Sequence, residues 1–370
     1  MGTRVILHIG AMKSGTTFLQ SALVQNRQAL ADAGCSYLGG SFDTQTRAVR
    51  EVVQPTGLEI KPRKRSRWLS LVDAVASEAQ QTAIVSMEFL SFADDEAVGR
   101  VLEPLADFDV SVIVTVRDQS RAIPAQWQTY TRSQGRDDWP TYLRHIRGRY
   151  FGPRKPRALR NFRRAQDVGP VLERWRARPE VDELAVITVP PPGAPQDELW
   201  LRFCRAAGIP PMAVDLSSVH YNPSLGYASC DYLRRINRHL ADVPLGAYRG
   251  VIRTLARQAL VQLREDEGRP HLNRGAAAFA YDRNGAIREA VSARADRLVG
   301  TLDDLPLADS RDRPRRIDPP RHEHVVRAAE AGWDHVAAQL DEAPGERPRE
   351  LDRLVADGAR LMRLANGWDR

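Results

Sequence analysis

The chain has 370 residues, 42% of them hydrophobic, enough to bury one large core or two smaller ones. Lys and Arg number 54 against 47 Asp and Glu, a net charge of +7 that favours anionic ligands without requiring nucleic acid. Three scattered cysteines, Cys35, Cys204 and Cys230, form no C-x-x-C pair, which argues against a disulfide framework or a zinc site and fits a reducing compartment.

In chain order, residues 5–20 read as a buried strand, a tight turn bounded by Gly10 and Gly15, and a helix start. Two glycines at this spacing let the backbone turn sharply and aim several amides at one anion, and the following helix adds its positive end. The spacing is that of G-x-x-x-x-G-K-[ST], but Thr16 and Thr17 follow the second glycine and the lysine sits inside the loop as Lys13. Such a loop suits an anion held by lysine and hydroxyls without a metal. Nothing before it resembles a charged and apolar leader, and the longest aliphatic run, 110–116, is too short to span a bilayer. The expectation is a soluble, cytoplasmic protein.

Phe18, Leu19, Ala22, Leu23 and Leu30 predict a helix ending at Ala33-Gly34, before a short strand at 35–38. Residues 39–67 are polar, contain Pro55 and Pro62, and finish in Lys61, Arg63, Lys64, Arg65 and Arg67, a solvated loop or a face for an acidic substrate. A helix over 68–79 precedes a strand at 82–86, with Glu88 just past its end. There Glu88 is a candidate base facing the same crevice as Lys13, or an N-cap or ion-paired carboxylate.

A helix near 95–106 leads to the strongest strand, 109–116, followed at once by Arg117-Asp118-Gln119-Ser120-Arg121. An arginine at a strand end offers a fixed fork for a phosphate. Residues 144–164 hold nine Lys or Arg and no Asp or Glu, among Tyr150, Phe151 and Phe162, which fits a single-strand nucleic-acid surface, a substrate lid or a solvated face. A helix with Val171, Leu172 and Trp175, a strand at 184–189 and a helix over 196–207 complete an alternating pattern that predicts a parallel sheet. His220 reads as a loop or capping histidine, with catalysis as the other reading. Helices are predicted at 225–241, 246–264 and 286–301, then a Pro/Arg-rich linker at 306–320. In the tail, Val325, Val326, Ala329, Trp333 and Val336 mark one helical face and 351–364 a second segment, to dock on the core or mediate a homodimer. The division expected is thus 1–305, 306–320 and 321–370.

Lys13-Ser14-Gly15-Thr16-Thr17 resembles the 5′-phosphosulfate loop of sulfotransferases that use 3′-phosphoadenosine 5′-phosphosulfate (PAPS), and Val114-Thr115-Val116-Arg117-Asp118 resembles that family's 3′-phosphate strand and loop. Asn222-Pro223-Ser224-Leu225 is similar to a downstream element of bacterial members. The likeness covers roughly residues 4–130 and, more loosely, extends to about 300. It implies an α/β fold with a three-layer, P-loop-type parallel sheet and a mostly helical C-terminal part. It implies PAPS as donor without a metal, Lys13 and Glu88 in catalysis, and Lys13, Ser14, Gly15, Thr16, Thr17, Arg117 and Ser120 on the nucleotide. The resemblance does not extend to the acceptor region: the arginines and aromatics of 39–67 and 131–165 suit a small-molecule acceptor such as a phenolic or lipid-like metabolite, a glycan or a peptide equally, with no nucleic acid and no membrane span expected. Where many members carry a serine eight residues after the arginine this chain has Ala125, so the second 3′-phosphate ligand is Ser120, Gln126 or none. Two other classes fit the loop: a P-loop kinase or nucleotidase using ATP or GTP, and a nucleotide-binding protein without catalysis.

Overall fold

The computed structural model describes residues 3–53, 66–77, 81–211, 224–308 and 313–368. Six strands, β1 (Arg4–His8), β2 (Cys35–Tyr37), β3 (Thr82–Ser86), β4 (Asp109–Val116), β5 (Glu183–Thr188) and β6 (Arg297–Val299), pair in the order β2-β3-β1-β4-β5-β6. Every pairing is parallel. The strands are nearly continuous apolar runs because both faces of the sheet are covered. Val5, Leu7, Val85, Val112, Val114 and Val186 pack on one face against helices Phe42–Val53, Arg67–Ser77, Asp95–Leu102 and Val168–Arg176. Ile6, Ile84, Ile113, Ala185 and Ile187 pack on the other against Thr16–Gln25 and Glu198–Ala207. From β1 the chain runs out to β2 and β3 on one side, then crosses back over β1 to β4 on the other. The carboxyl ends of β1 and β4 therefore flank the point where connections diverge, the place where open parallel sheets form a crevice.

Three expectations need correction. Residues 42–53, read as part of a polar loop, form the helix Phe42–Val53. Its buried residues Gln45, Ala48, Val49, Val52 and Val53 recur at helical spacing, and the pattern was masked because one core position is a glutamine. The Gln45 amide donates to Leu38 O and Ile84 O at 2.9 and 3.2 Å and accepts from Ser86 N at 2.8 Å, so this buried polar group is satisfied. Lys61, Arg63, Lys64 and Arg65 lie outside the described residues; Arg67 pairs with Glu51 at 3.3 Å. The helix expected at 286–301 runs instead over Arg274–Arg294, and the sixth strand, β6, takes 297–299 beside β5. The first helix breaks at Asn26 into Thr16–Gln25 and Arg27–Asp32.

Contacts group the chain into two compact units: 1–122, 164–222 and 280–309 with the sheet, and 123–163, 223–279 and 310–370, which is helical. In the helical unit Trp139 stacks on Tyr142 at 5.9 Å, Trp127 lies against Trp139, and Phe162 packs on Phe279, which removes Phe162 from any nucleic-acid surface. Buried Asn237 donates to Thr131 O and Gly135 O at 2.7 Å each. The tail helices His322–Ala337 and Leu351–Asn366 pack on each other and on Tyr227–Ile236, where Gly332 leaves room for the Tyr232 ring. Among the described residues no helix is long and apolar enough to cross a membrane.

The β5–β6 edge is tied by a buried ion pair. Arg202 donates to Thr188 O at 2.8 Å, to Glu198 at 2.7 Å and to Asp304, whose carboxylate also accepts from Thr188 Oγ1 at 2.6 Å. Removing the cation alone leaves Asp304 charged, buried and uncompensated. Arg202→Leu should therefore cost about 3–5 kcal/mol in urea unfolding, and Arg202→Leu with Asp304→Leu should recover most of that loss.

Candidate functional site

The loop after β1 is built by extending a ladder and then breaking it. Ile9 N donates to Ile113 O at 2.9 Å and Ala11 N to Thr115 O at 2.8 Å, so the chain follows β4 past the end of β1. Gly10, Lys13 and Gly15 then take positive φ angles of 104°, 64° and 86° and fold the loop over the start of helix Thr16–Gln25. A lysine rarely adopts this left-handed backbone, so the surroundings must hold it there. Three consecutive carbonyls show how. Ser14 Oγ donates to Ala11 O at 2.5 Å, Gln166 Nε2 to Met12 O at 2.8 Å and Arg117 Nη1 to Lys13 O at 3.0 Å. In a planar trans peptide the next N–H points opposite its carbonyl, so the Met12, Lys13 and Ser14 amides face away from these side chains. With a helix N-terminus that no side chain caps, the result is a cradle for an anion.

A buried polar frame stands behind the cradle. Gln166 accepts from Gln119 Nε2 at 3.1 Å, Gln119 N donates to Asn284 Oδ1 at 2.9 Å, and Asn284 Nδ2 donates to Asp118 at 2.9 Å and to Pro306 O at 2.8 Å. Arg117 thus leaves β4 braced on both sides. Its guanidinium, expected to meet an anion apart from the Lys13 loop, reaches that loop itself.

Glu88 opens a 3-10 turn, Glu88–Phe92, immediately after β3. A Cβ placed on Gly10 would stand 3.1 Å from Glu88 Cβ, tighter than side chains ordinarily pack, and the φ of 104° there adds strain for any other residue, so glycine suits this close approach of turn and loop. The Glu88 carboxylate accepts from Gln20 Nε2 at 2.7 Å, and the same amide group donates to Ser86 O at 3.1 Å. Burial, and secondarily the charge of Glu88, pushes the Tyr37 phenol above its ordinary value; its hydroxyl is buried with no hydrogen-bond partner. Beyond Glu88, Phe89 and Phe92 lie 5.8 Å apart, under the guanidinium groups of Arg50 and Arg164 at 4.8 and 4.5 Å.

Lys13, Ser14, Gly15, Thr16 and Thr17 thus share one turn, with Arg117 and Glu88 against it from the two neighbouring strands. Thr17 is exposed, Thr16 buried and Lys13 half-buried. Ser14 is 1% exposed and turns its hydroxyl inward, so it presents its amide rather than its side chain. Ser120 donates its hydroxyl to Asp118. Ala125 and Gln126 belong to the helical unit, and His220 and Asn222 lie outside the described residues. Sequence reasoning missed Gln20, Gln166, Asn284 and His8; of these only His8 left a signal, a titratable residue ending an apolar strand.

His8 is fully buried, with Nδ1 2.7 Å from Ser86 Oγ and Nε2 3.3 Å from Thr115 Oγ1. Among the described residues no group of three His, Cys, Asp or Glu is placed to hold a metal ion. The three cysteines are free and buried, and burial pushes the Cys204 thiol up to about 12. Comparison with protein families, curated proteins and solved structures finds no match to this chain.

Burial lowers the His8 pKa from 6.5 to about 3, so its neutral form is the folded one. Protons bind the unfolded chain first, and the stabilisation is complete above pH 6.5 and drains away as pH falls towards 3. Between pH 7 and 4.5 the wild type should lose about 2–3 kcal/mol more unfolding free energy than His8→Gln. Equal losses in urea titrations at the two pH values would contradict the assignment.

Proposed function

We propose that the protein is a PAPS-dependent sulfotransferase built on a P-loop-type sheet, moving a sulfuryl group to a hydroxyl or amine of a small-molecule, carbohydrate or lipid-like acceptor in the cytoplasm. The observation that carries this reading is the conjunction at the strand ends: an anion cradle crested by Lys13 after β1, Arg117 after β4 and Glu88 after β3. The donor set fits a phosphosulfate nucleotide. It consists of backbone amides, a lysine, the hydroxyls of Thr16 and Thr17 and an arginine, with one carboxylate to the side. The lysine that a kinase or nucleotidase carries after the second glycine is Thr16 here.

PAPS supplies an activated sulfuryl group on a 5′-phosphate. As the acceptor oxygen or nitrogen bonds to sulfur, the bond from sulfur to the phosphate oxygen breaks and negative charge grows on that oxygen. Lys13 and the loop amides stabilise it, a preorganised role in which one donor is typically worth ~10²–10³ in rate. Glu88, its carboxylate oriented by Gln20, takes the proton that the acceptor loses. Arg117, which donates to Lys13 O from the end of β4, meets the 3′-phosphate, and Ser120 joins it by turning from Asp118.

Thermal unfolding with ligands tests the donor. PAPS and 3′-phosphoadenosine 5′-phosphate at 100-fold over Kd should each stabilise by about 2.7 kcal/mol without metal, and ATP or GTP with magnesium should not. Stabilisation by magnesium-ATP alone would replace this reading with a kinase. For the base, Glu88→Gln should lower kcat by ~10²–10⁴ while leaving affinity for 3′-phosphoadenosine 5′-phosphate within about twofold. Unchanged turnover on an accepted substrate removes Glu88 from the mechanism.

A further inference from the structure

Beneath the anion loop runs a buried row of polar atoms in which the position of every proton follows from geometry. Ala11 O can only accept, so the Ser14 hydroxyl proton points at it. Ser14 Oγ also stands 2.5 Å from Thr115 Oγ1, a separation that needs a proton between the oxygens, and with Ser14's own proton committed it must come from Thr115. Thr115 then has none left for the ring, so its oxygen accepts from His8 Nε2–H. The neutral ring now has a bare Nδ1, which takes the Ser86 hydroxyl proton at 2.7 Å. Donors run one way: Ser86, His8, Thr115, Ser14, Ala11 O. Ser86 is also joined to the other side of the site, since its carbonyl shares the Gln20 amide group with Glu88.

We propose that His8, held as the Nε2–H tautomer, is a positioning residue that sets the anion loop through this one-way chain. The inference deepens the sulfotransferase reading and rests on it for the ligand used in its test. Each member has a single proton to give, so none can turn without turning the rest. His8 is 0% exposed and both its ring nitrogens are engaged within the chain, so it moves no proton to or from a ligand. What it does is keep Ala11 O turned down and the Ser14 hydroxyl off the ligand, leaving the amides to bind it. The chain crosses the three central strands, from β3 through β1 to β4, so it also ties the loop to the strand end that carries Glu88.

Two measurements on the full chain test this. Two-bond ¹H–¹⁵N NMR of the histidine ring at neutral pH should give the Nε2–H signature for His8; an Nδ1–H or doubly protonated ring overturns the proposal. Metal-free calorimetry should show Thr115→Val, which keeps the shape and loses the link, weakening 3′-phosphoadenosine 5′-phosphate about tenfold, the worth of one lost hydrogen bond. Thr115→Ser should stay within about threefold of wild type. A merely structural role would lower the melting temperature of the valine variant and leave Kd unchanged, and that result also overturns it. Should Thr115→Val fail to fold, Ser86→Ala, which takes the donor from Nδ1, should shift the tautomer equilibrium and weaken binding; an unmoved spectrum and Kd reject the chain. Inorganic pyrophosphate is titrated in parallel as a probe of the loop alone. Wild-type binding of pyrophosphate but not of the nucleotide rejects the sulfotransferase reading and judges the chain on pyrophosphate. Binding of neither overturns both.

Discussion

A peptide chain presents amides to an anion only if the matching carbonyls are taken care of elsewhere, and that requirement governs the sheet unit. At Ala11, Met12 and Lys13 the carbonyls go to Ser14, Gln166 and Arg117. Without these donors the loop would hold three polar oxygens of its own competing with any anion, and Lys13 would have no reason to keep a left-handed backbone. Each donor depends in turn on others: Gln166 on Gln119 and Asn284, Ser14 on Thr115 and His8, Arg117 on the end of β4. The cradle is therefore the visible tip of a polar scaffold that reaches across the central strands.

The scaffold is costly unless complete, which accounts for where the amide side chains sit. Gln20, Gln45, Gln119, Gln166 and Asn284 are each 4% exposed or less; Gln20, Gln45, Gln166 and Asn284 each span segments through both ends of the amide or through two donor bonds, while Gln119 uses its Nε2 on Gln166 and leaves Oε1 without a hydrogen-bond partner. Neutral amides suit this work because they donate and accept without the desolvation cost of a buried charge. Two buried charged groups depart from this: the Arg202–Asp304 pair, matched by Thr188 and Glu198, and Asp118, which accepts from Asn284 and Ser120. Around these polar threads the aliphatic residues of alternate faces fill two layers, so the strand ends are held rigidly while carrying loops of irregular backbone.

Much of the sheet was legible in order along the chain. Runs of β-branched residues at β1, β3, β4 and β5 declare strands because a strand buried on both faces needs no polar alternation. β6 was not legible: Arg297-Leu298-Val299 is too short to interrupt a helical pattern, and it is a strand because the edge of β5 is beside it. The helix Phe42–Val53 was hidden by Gln45, whose burial is tolerated only where Leu38, Ile84 and Ser86 expose backbone groups at the ends of β2 and β3. The interleaving of the two compact units along the chain likewise has no local signature.

At the site, the amino-acid sequence by itself determined the glycines at 10 and 15, the lysine between them, and an arginine and a glutamate each just past a strand. Those are local properties: turn chemistry, strand period and the residue that follows. Only the tertiary structure decided that Arg117 and Gln166, 104 and 154 residues from the carbonyls they hold, brace the loop, and that Ser14 points inward while its amide points out. It also turned His8 from an oddity in a strand into the hinge of a buried chain. The physical reason is that a hydrogen bond depends on where donor and acceptor stand in space, and parallel pairing of β3, β1 and β4 brings together atoms whose separation along the chain carries no trace of it.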